Sequence, residues 1–211
     1  MKKKIAILGS TGSIGKTSLS IFDKNLGYFS IFLLSSKSNY NSICKQIKKY
    51  KPNYYVIIDK KIYGRVKKKF KKSKTKIKNN FKDINLKKIK IDITISSIVG
   101  IAGLEPTIKF LMSSKKLLIA NKESIICGWH IIKRLANRHK TKIIPVDSEH
   151  FSIRELTKGL NDKSIKKIYL TASGGPFLNK PSKYFSSIKA HQATKHPKWK
   201  MGKKISIDSS N

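Results

Sequence analysis

Three stretches combine residue types that could bind or polarise a small molecule. Gly9-Ser10-Thr11-Gly12-Ser13-Ile14-Gly15 follows a short apolar run and opens a helical pattern, which is the context a dinucleotide fingerprint requires. Gly9 can turn tightly out of a strand, Gly12 lets the backbone approach a pyrophosphate, and Gly15 lets a helix lie close on a sheet. The anion would rest on free N–H groups at the helix start, where the dipole favours it. Further on, Asp147 and Glu149 account for two of only 11 acids. On extended chain, positions i and i+2 project to one side, and two facing carboxylates repel unless a hard cation such as Mg²⁺ or Mn²⁺ joins them. Solvated acids at a strand end are the alternative. Between these lies Asn121-Lys122-Glu123-Ser124, polar residues at a strand-to-helix junction that either face a cofactor crevice or form a helix cap with Asn121 capping and Glu123 complementing the dipole.

Cofactor choice rests on residues 34–39, Leu-Ser-Ser-Lys-Ser-Asn. An acid there would hold the ribose 2′-hydroxyl of NAD; hydroxyls and a lysine suit a 2′-phosphate, so NADP fits better. Two later loops have binding character. Residues 171–177 offer hydroxyls and backbone amides suited to a phosphate, and His196 with Trp199 lies in a loop that could close over a polar ligand; a tight turn and an irregular loop are the plain readings. A rival for the first motif is a Walker A loop, because Gly15-Lys16-Thr17 has its ending and residues 143–147 resemble a Walker B strand. The position five residues before Gly15 is Ser10, however, and Gly9 stands one residue too far away.

These residues need elements to position them. Candidate strands at 4–8, 30–34, 54–58, 91–95, 116–119 and 142–146 alternate with candidate helices at 14–23, 40–50, 60–72, 102–112 and 123–139. That alternation predicts βαβ units: an α/β, Rossmann-like, doubly wound and mostly parallel sheet over residues 1–140. Pro145, Gly174, Gly175, Pro176, Pro181 and Pro197 then break the pattern, so 141–211 is expected to begin a second, α+β catalytic domain.

At 211 residues and 39% hydrophobic, the chain has enough apolar material for a sizeable core, which excludes a disordered tail. Its 47 basic residues against 11 acids give a formal charge of +36, which raises nucleic-acid binding. All but Arg65, Arg134, Arg138 and Arg154 are lysines, and lysine lacks the planar fork that reads bases and phosphates. Lysine, isoleucine and asparagine share A- and T-rich codons, so the charge reads as mutational bias and nucleic acid is not the expected partner. Residues 60–90, with 15 basic side chains, are read as a solvated helix and loop. Cys44 and Cys127 share no metal-binding or disulfide spacing, and no apolar run reaches the roughly 20 residues of a membrane helix. A cytoplasmic, bacterial setting without membrane association is expected.

Taken in order, segments 7–15, 118–124, 145–150, 173–177 and 196–209 resemble the 1-deoxy-D-xylulose 5-phosphate reductoisomerase family. That resemblance implies an NADPH phosphate loop at Thr11, Gly12, Ser13 and Ile14, with Ser36 and Lys37 near the 2′-phosphate and Asn121, Glu123 and Gly202 completing the cofactor site. It makes Lys122 a substrate-binding lysine and Asp147 and Glu149 metal ligands for Mg²⁺ or Mn²⁺, with Co²⁺ a third candidate. Ser148, Glu149, Ser173, His196 and Ser209 would bind the phosphorylated sugar, Lys122, Asp147, Glu149 and His196 would be the catalytic set, and Trp199 would lie in a flap. The implied reaction rearranges the ketose by retro-aldol cleavage and re-addition, then reduces the resulting aldehyde with NADPH to 2-C-methyl-D-erythritol 4-phosphate. Ser36 departs from the family's usual glycine, and residues 60–90 align poorly. The family's Asn-Lys-Gly-x-x-Glu segment, with a third metal carboxylate, would follow Asn211. The 211 residues are therefore expected to be an N-terminal portion, binding cofactor without turnover, of an enzyme that is a homodimer when complete. The rivals are a P-loop nucleotidase, marked by ATP turnover that NADPH does not inhibit, and a basic nucleic-acid module, marked by affinity falling steeply with salt.

Overall fold

The computed structural model describes residues 2–170, 174–197 and 207. Seven strands, β1 (Lys3–Leu8), β2 (Phe29–Ser36), β3 (Tyr54–Ile57), β4 (Lys76–Lys78), β5 (Ile91–Ser96), β6 (Ser114–Ile119) and β7 (Lys142–Pro145), form one sheet in the order β4-β3-β2-β1-β5-β6-β7. Every neighbouring pair is parallel. The order steps outward from β1 in both directions, so the winding reverses between β1 and β5. Crevices outside the carboxyl ends of strands at such a switch point are where open α/β sheets bind ligands.

The central strands explain the architecture. Ile5, Ala6, Ile7 and Leu8 are fully buried, as a parallel strand covered on both faces must be. Ile5 and Ile7 pack in one cluster and Ala6 and Leu8 in another, the alternation expected of a strand. The first cluster is closed by Leu19 and Phe22 of α1 (Ser13–Asp23), Ile43 and Ile47 of α2 (Tyr40–Tyr50) and Val66 of α3 (Lys60–Lys69). The second is closed by Phe110 of α4 (Leu104–Leu111) together with Ile84 and Leu86. Ile132 and Ala136 of α5 (Lys122–His139) complete a third cluster over Leu117 and Ile119. Each fully buried Ile or Leu among these contributes about 1.5–3 kcal/mol by leaving water.

Three features differ from the sequence reading. β4 was not expected, because three residues with lysine at both ends carry no strand period. Residues 60–90 are solvated only in part: Val66 is the one buried residue of α3, but Ile84 and Leu86 sink into the core at 1% and 7% exposure. Residues from Ser148 onward are helical, forming α6 (Ser148–Leu156), where extended chain was expected.

The chain divides into two compact units, 1–156 and 157–211. β7 pairs with β6 and thereby joins residues 142–145 to the first sheet. Within the second unit lie 3₁₀ turns at Asp162–Ser164 and Ser182–Ser187 and a short helix α7 (Ala190–Ala193). Among its described residues there is no strand.

Candidate cofactor and metal site

The glycine loop leaves β1 through Gly9, whose φ of +91° suits glycine. A Cβ at Gly9 would stand 2.8 Å from the Ser97 carbonyl oxygen, and one at Gly15 would overlap the Gly9 oxygen and the Ser10 Cα. Both glycines are therefore required by the fold. Gly12 is different, since a Cβ there would meet only the Gly9 oxygen, at 3.5 Å. Gly12 opens α1 with extended backbone; no side chain caps that helix and its first turn carries no acid. Its leading N–H groups and dipole are suited to an anion.

Beneath the loop is a buried polar network that the sequence reading missed. The Ser10 hydroxyl lies 2.7 Å from Gln46 Oε1 and 3.0 Å from the Ser35 carbonyl. Gln46 Nε2 donates to the Ser10 carbonyl at 2.9 Å, and the Tyr55 hydroxyl donates to Gln46 Oε1 at 2.6 Å. Ser35 adds its hydroxyl as acceptor for the Gly9 N–H at 2.9 Å, and its carbonyl accepts the Ser10 N–H at 2.7 Å. Burial pushes the Tyr55 phenol far above its usual range, so it stays a neutral donor. The one available signal was a glutamine on the apolar stripe of α2, between Ile43 and Ile47. The inward Ser10 side chain also removes the Walker A reading. In addition, β5 and β6 separate β7 from β1, so at about 4.8 Å per strand Asp147 is roughly 14 Å from the position a shared Mg²⁺ would need.

At the end of β2, Ser36 is buried, with its hydroxyl close enough to the Tyr55 phenol to act on it, while Lys37 is exposed. No acid follows β2 directly. Asp59, after β3, donates its N–H to the Lys37 carbonyl at 3.0 Å, but its carboxylate caps α3 by accepting the Ile62 N–H at 2.8 Å.

Asn121, 2% exposed, has its side chain fully engaged. Its oxygen caps α5 by accepting the Ser124 N–H at 2.6 Å, and its amide donates to the carbonyls of Ile98 and of Gly100, the latter at 2.9 Å. This side chain joins the loops after β5 and β6, so any cofactor contact from Asn121 falls to its backbone. Lys122 begins α5 in an exposed position, followed by half-buried Glu123.

At the end of β7, Asp147 Oδ1 accepts the His150 N–H at 2.9 Å and sits 2.6 Å from His150 Nδ1. Partial burial opposes ionisation of Asp147, but the His150 N–H, its imidazole and the charge of Lys122 outweigh that and hold the carboxyl below its usual value. Lys122 and Asp147 thus share one electrostatic environment at the ends of neighbouring strands. Glu149 is exposed and accepts from the Ser148 hydroxyl at 3.1 Å. The same-side argument from extended chain does not hold, because Asp147 caps a helix and Glu149 lies in its first turn. Among the described residues no three His, Cys, Asp or Glu side chains form a cluster able to hold a metal.

All the first-unit candidates nonetheless reach one edge. Thr11, Gly12, Ser13 and Ile14 follow β1, Ser36 and Lys37 close β2, Asn121, Lys122 and Glu123 follow β6, and Asp147, Ser148 and Glu149 follow β7; an all-parallel sheet puts all four ends on the same side. Within the second unit His196 is half-buried and Gly174 turns with a φ of +64°. Ser173, Trp199, Gly202 and Ser209 lie outside the described residues.

The sequence matches 1-deoxy-D-xylulose 5-phosphate reductoisomerase over residues 5–128 and the C-terminal domain of the same enzyme over residues 143–211. The chain belongs to this family. It is 45% identical over 213 residues to the reductoisomerase of Pelagibacter ubique and 44% identical over 209 residues to that of Thermodesulfovibrio yellowstonii, each alignment covering 99% of this chain. It spans about half the length of these curated relatives, 54% and 55% respectively. A crystal structure of a reductoisomerase in complex with NADPH, fosmidomycin and magnesium superposes with a TM-score of 0.85 at 31% identity, covering 99% of this chain and 54% of that one. The Zymomonas mobilis reductoisomerase in complex with NADPH gives a TM-score of 0.83 at 27% identity, covering 100% and 54%. No helix among the described residues is long and apolar enough to cross a membrane.

Proposed function

We propose that this chain supplies the NADPH site and part of the metal and substrate site of an enzyme that isomerises and reduces 1-deoxy-D-xylulose 5-phosphate to 2-C-methyl-D-erythritol 4-phosphate, working in the cytoplasm as a homodimer. The observation that carries the reading is the uncapped α1 start, with Gly12 open to an approaching ligand, at the switch point of a reductoisomerase fold. The residues fit the cofactor: a Cβ at Gly12 would occupy the approach to the loop, and a turn that carries the exposed Lys37 and no acid suits a 2′-phosphate. NADPH supplies a hydride when bound. In this reading Thr11, Gly12, Ser13 and Ile14 hold its pyrophosphate, Ser36 and Lys37 hold the 2′-phosphate, and the backbone at Asn121, together with Glu123, orients the remainder along the strand ends.

The hard oxygen donors of Asp147 and Glu149 fit Mg²⁺ or Mn²⁺, and the substrate, water and further ligands would complete its six oxygens. His150 fixes the Asp147 carboxylate in one orientation and keeps it ionised. Lys122, at the α5 start beside Asp147, binds and neutralises an oxygen of the sugar, while Ser148, Ser173, His196 and Ser209 hold its phosphate and hydroxyls. Orientation and exclusion of water are the protein's share of the chemistry. In this reading residues 1–140 are the NADPH-binding domain and the catalytic domain begins at residue 141.

The test is NADPH titration of the 211-residue chain by nicotinamide fluorescence, paired with a Mn²⁺-dependent NADPH oxidation assay on 1-deoxy-D-xylulose 5-phosphate, in which this chain by itself is expected to bind the cofactor without turnover. Failure of the chain to bind NADPH refutes the reading.

A further inference from the structure

Ser10 immediately precedes the four residues assigned to the cofactor phosphates, and its surroundings are built with unusual completeness. It is 0% exposed, and Gln46 and Tyr55 beneath it are 7% and 0% exposed. Gln46 reaches up from α2 and grips Ser10 twice, at its hydroxyl and its carbonyl, at 2.7 and 2.9 Å. Tyr55, from β3, fixes the same Gln46 oxygen at 2.6 Å. A glycine-rich turn gains order only from such contacts, since glycine leaves the backbone the widest choice of conformations. Gly9 and Gly15 fix the loop's ends by close approach, and the Ser10 anchor fixes the stretch from which the N–H groups of Thr11 to Ile14 are aimed.

We propose that Gln46, held by Tyr55, is a positioning residue for NADPH: it presets the phosphate loop from inside the core and touches no part of the cofactor. This rests on the NADPH reading given above. α2 follows directly on the Ser36–Asn39 turn, whose Asn39 caps it. The same helix therefore carries the end of the 2′-phosphate turn at its start and the loop anchor about two turns later, setting the spacing between the two phosphate sites.

The experiment uses the 211-residue chain and two ligands. NADPH engages both sites, whereas adenosine 2′-monophosphate, measured by competition, lacks the pyrophosphate and engages only the β2 turn. Gln46→Leu keeps the apolar volume and removes all three Gln46 hydrogen bonds; Tyr55→Phe keeps the ring and removes the bond to Gln46 at 2.6 Å and the longer contact with the Ser10 hydroxyl at 3.3 Å. With a hydrogen bond contributing about 1 kcal/mol, Tyr55→Phe is expected to weaken NADPH about threefold to fivefold and Gln46→Leu about tenfold or more. Both should leave adenosine 2′-monophosphate within twofold of wild type. A purely structural role would lower the melting temperature and affect both ligands alike or neither. Equal losses for both ligands, or unchanged NADPH affinity in Tyr55→Phe, overturn the proposal, and Tyr55→Phe decides it alone should Gln46→Leu fail to fold. If the wild-type chain does not bind NADPH, the cofactor reading itself falls and this inference with it; wild-type binding with insensitive variants refutes the inference only.

Discussion

Gly12 and Gly15 stand three residues apart in one loop, yet replacing each with alanine should have opposite consequences. At Gly15 the new Cβ would overlap two backbone groups, the Gly9 carbonyl and the Ser10 Cα, neither of which can rotate away. Overpacking of that kind costs about 1–3 kcal/mol, and the better helix propensity of alanine returns up to about 1 kcal/mol. With both overlaps on backbone the cost belongs at the upper end of that range, about 3 kcal/mol, and the net loss of about 2 kcal/mol corresponds to a fall in melting temperature of about 4–8 °C for a chain of this size. At Gly12 the φ of −73° and ψ of 174° are open to any residue and the nearest atom is 3.5 Å from the Cβ position, so the stability loss should be about 0.5 kcal/mol, the difference between glycine and alanine at a helix cap. The methyl group would, however, stand where the phosphate must approach, and NADPH affinity should fall about tenfold or more, equivalent to at least ~1.4 kcal/mol. Thermal melts followed by circular dichroism and NADPH titrations on both variants measure the two effects. Unchanged melting for Gly15→Ala, or wild-type affinity for Gly12→Ala, would refute the division of the loop into a packing glycine and a ligand glycine.

Because no acid follows β2 directly, the chain should bind NADPH more tightly than NADH, and Ser36→Asp should erase most of that preference; equal affinity of wild type for both cofactors counts against the 2′-phosphate assignment. In a complete version of the enzyme, replacing Asp147 with Asn and Glu149 with Gln together should abolish Mn²⁺ binding by calorimetry while NADPH binding changes less than twofold, since the two carboxylates lie three strands from the glycine loop; retained metal affinity would make the pair structural. Acid should expose a different carboxylate. The hydrogen bond from Lys115, reinforced by the Lys4 N–H and nearby charges against a smaller desolvation cost, lowers the Asp92 pKa. A depressed folded pKa stabilises at pH above the unfolded value of about 3.9 and is lost as pH falls through the folded value. The melting temperatures of wild type and Asp92→Asn should therefore differ above pH 5 and converge only as pH falls from the unfolded value of about 3.9 through the lower folded value, and a gap independent of pH would contradict the assignment.

The chain's linear pattern carried most of the architecture. Buried parallel strands must be apolar almost throughout and the helices between them apolar on one stripe, so runs such as Ile5 to Leu8 and the spacing of Ile43 and Ile47 mark elements without knowledge of their partners. The glycine loop was legible for the same reason, because its demands on the backbone are met within seven consecutive residues. Elements whose existence depends on distant neighbours were not legible: β4 is held by pairing with β3, and Ile84 and Leu86 are buried because the sheet face beneath them needs a cover. The carboxylate pair shows the limit most clearly. Its residue types marked hard-cation chemistry, but whether Asp147 and Glu149 share a face depends on the backbone, and the Asp147 cap turns that segment into a helix. Gln46, 36 residues from Ser10, has no local signature, since a hydrogen-bond partner at that separation is chosen by the packing of α2 on the sheet and by nothing nearer in the chain.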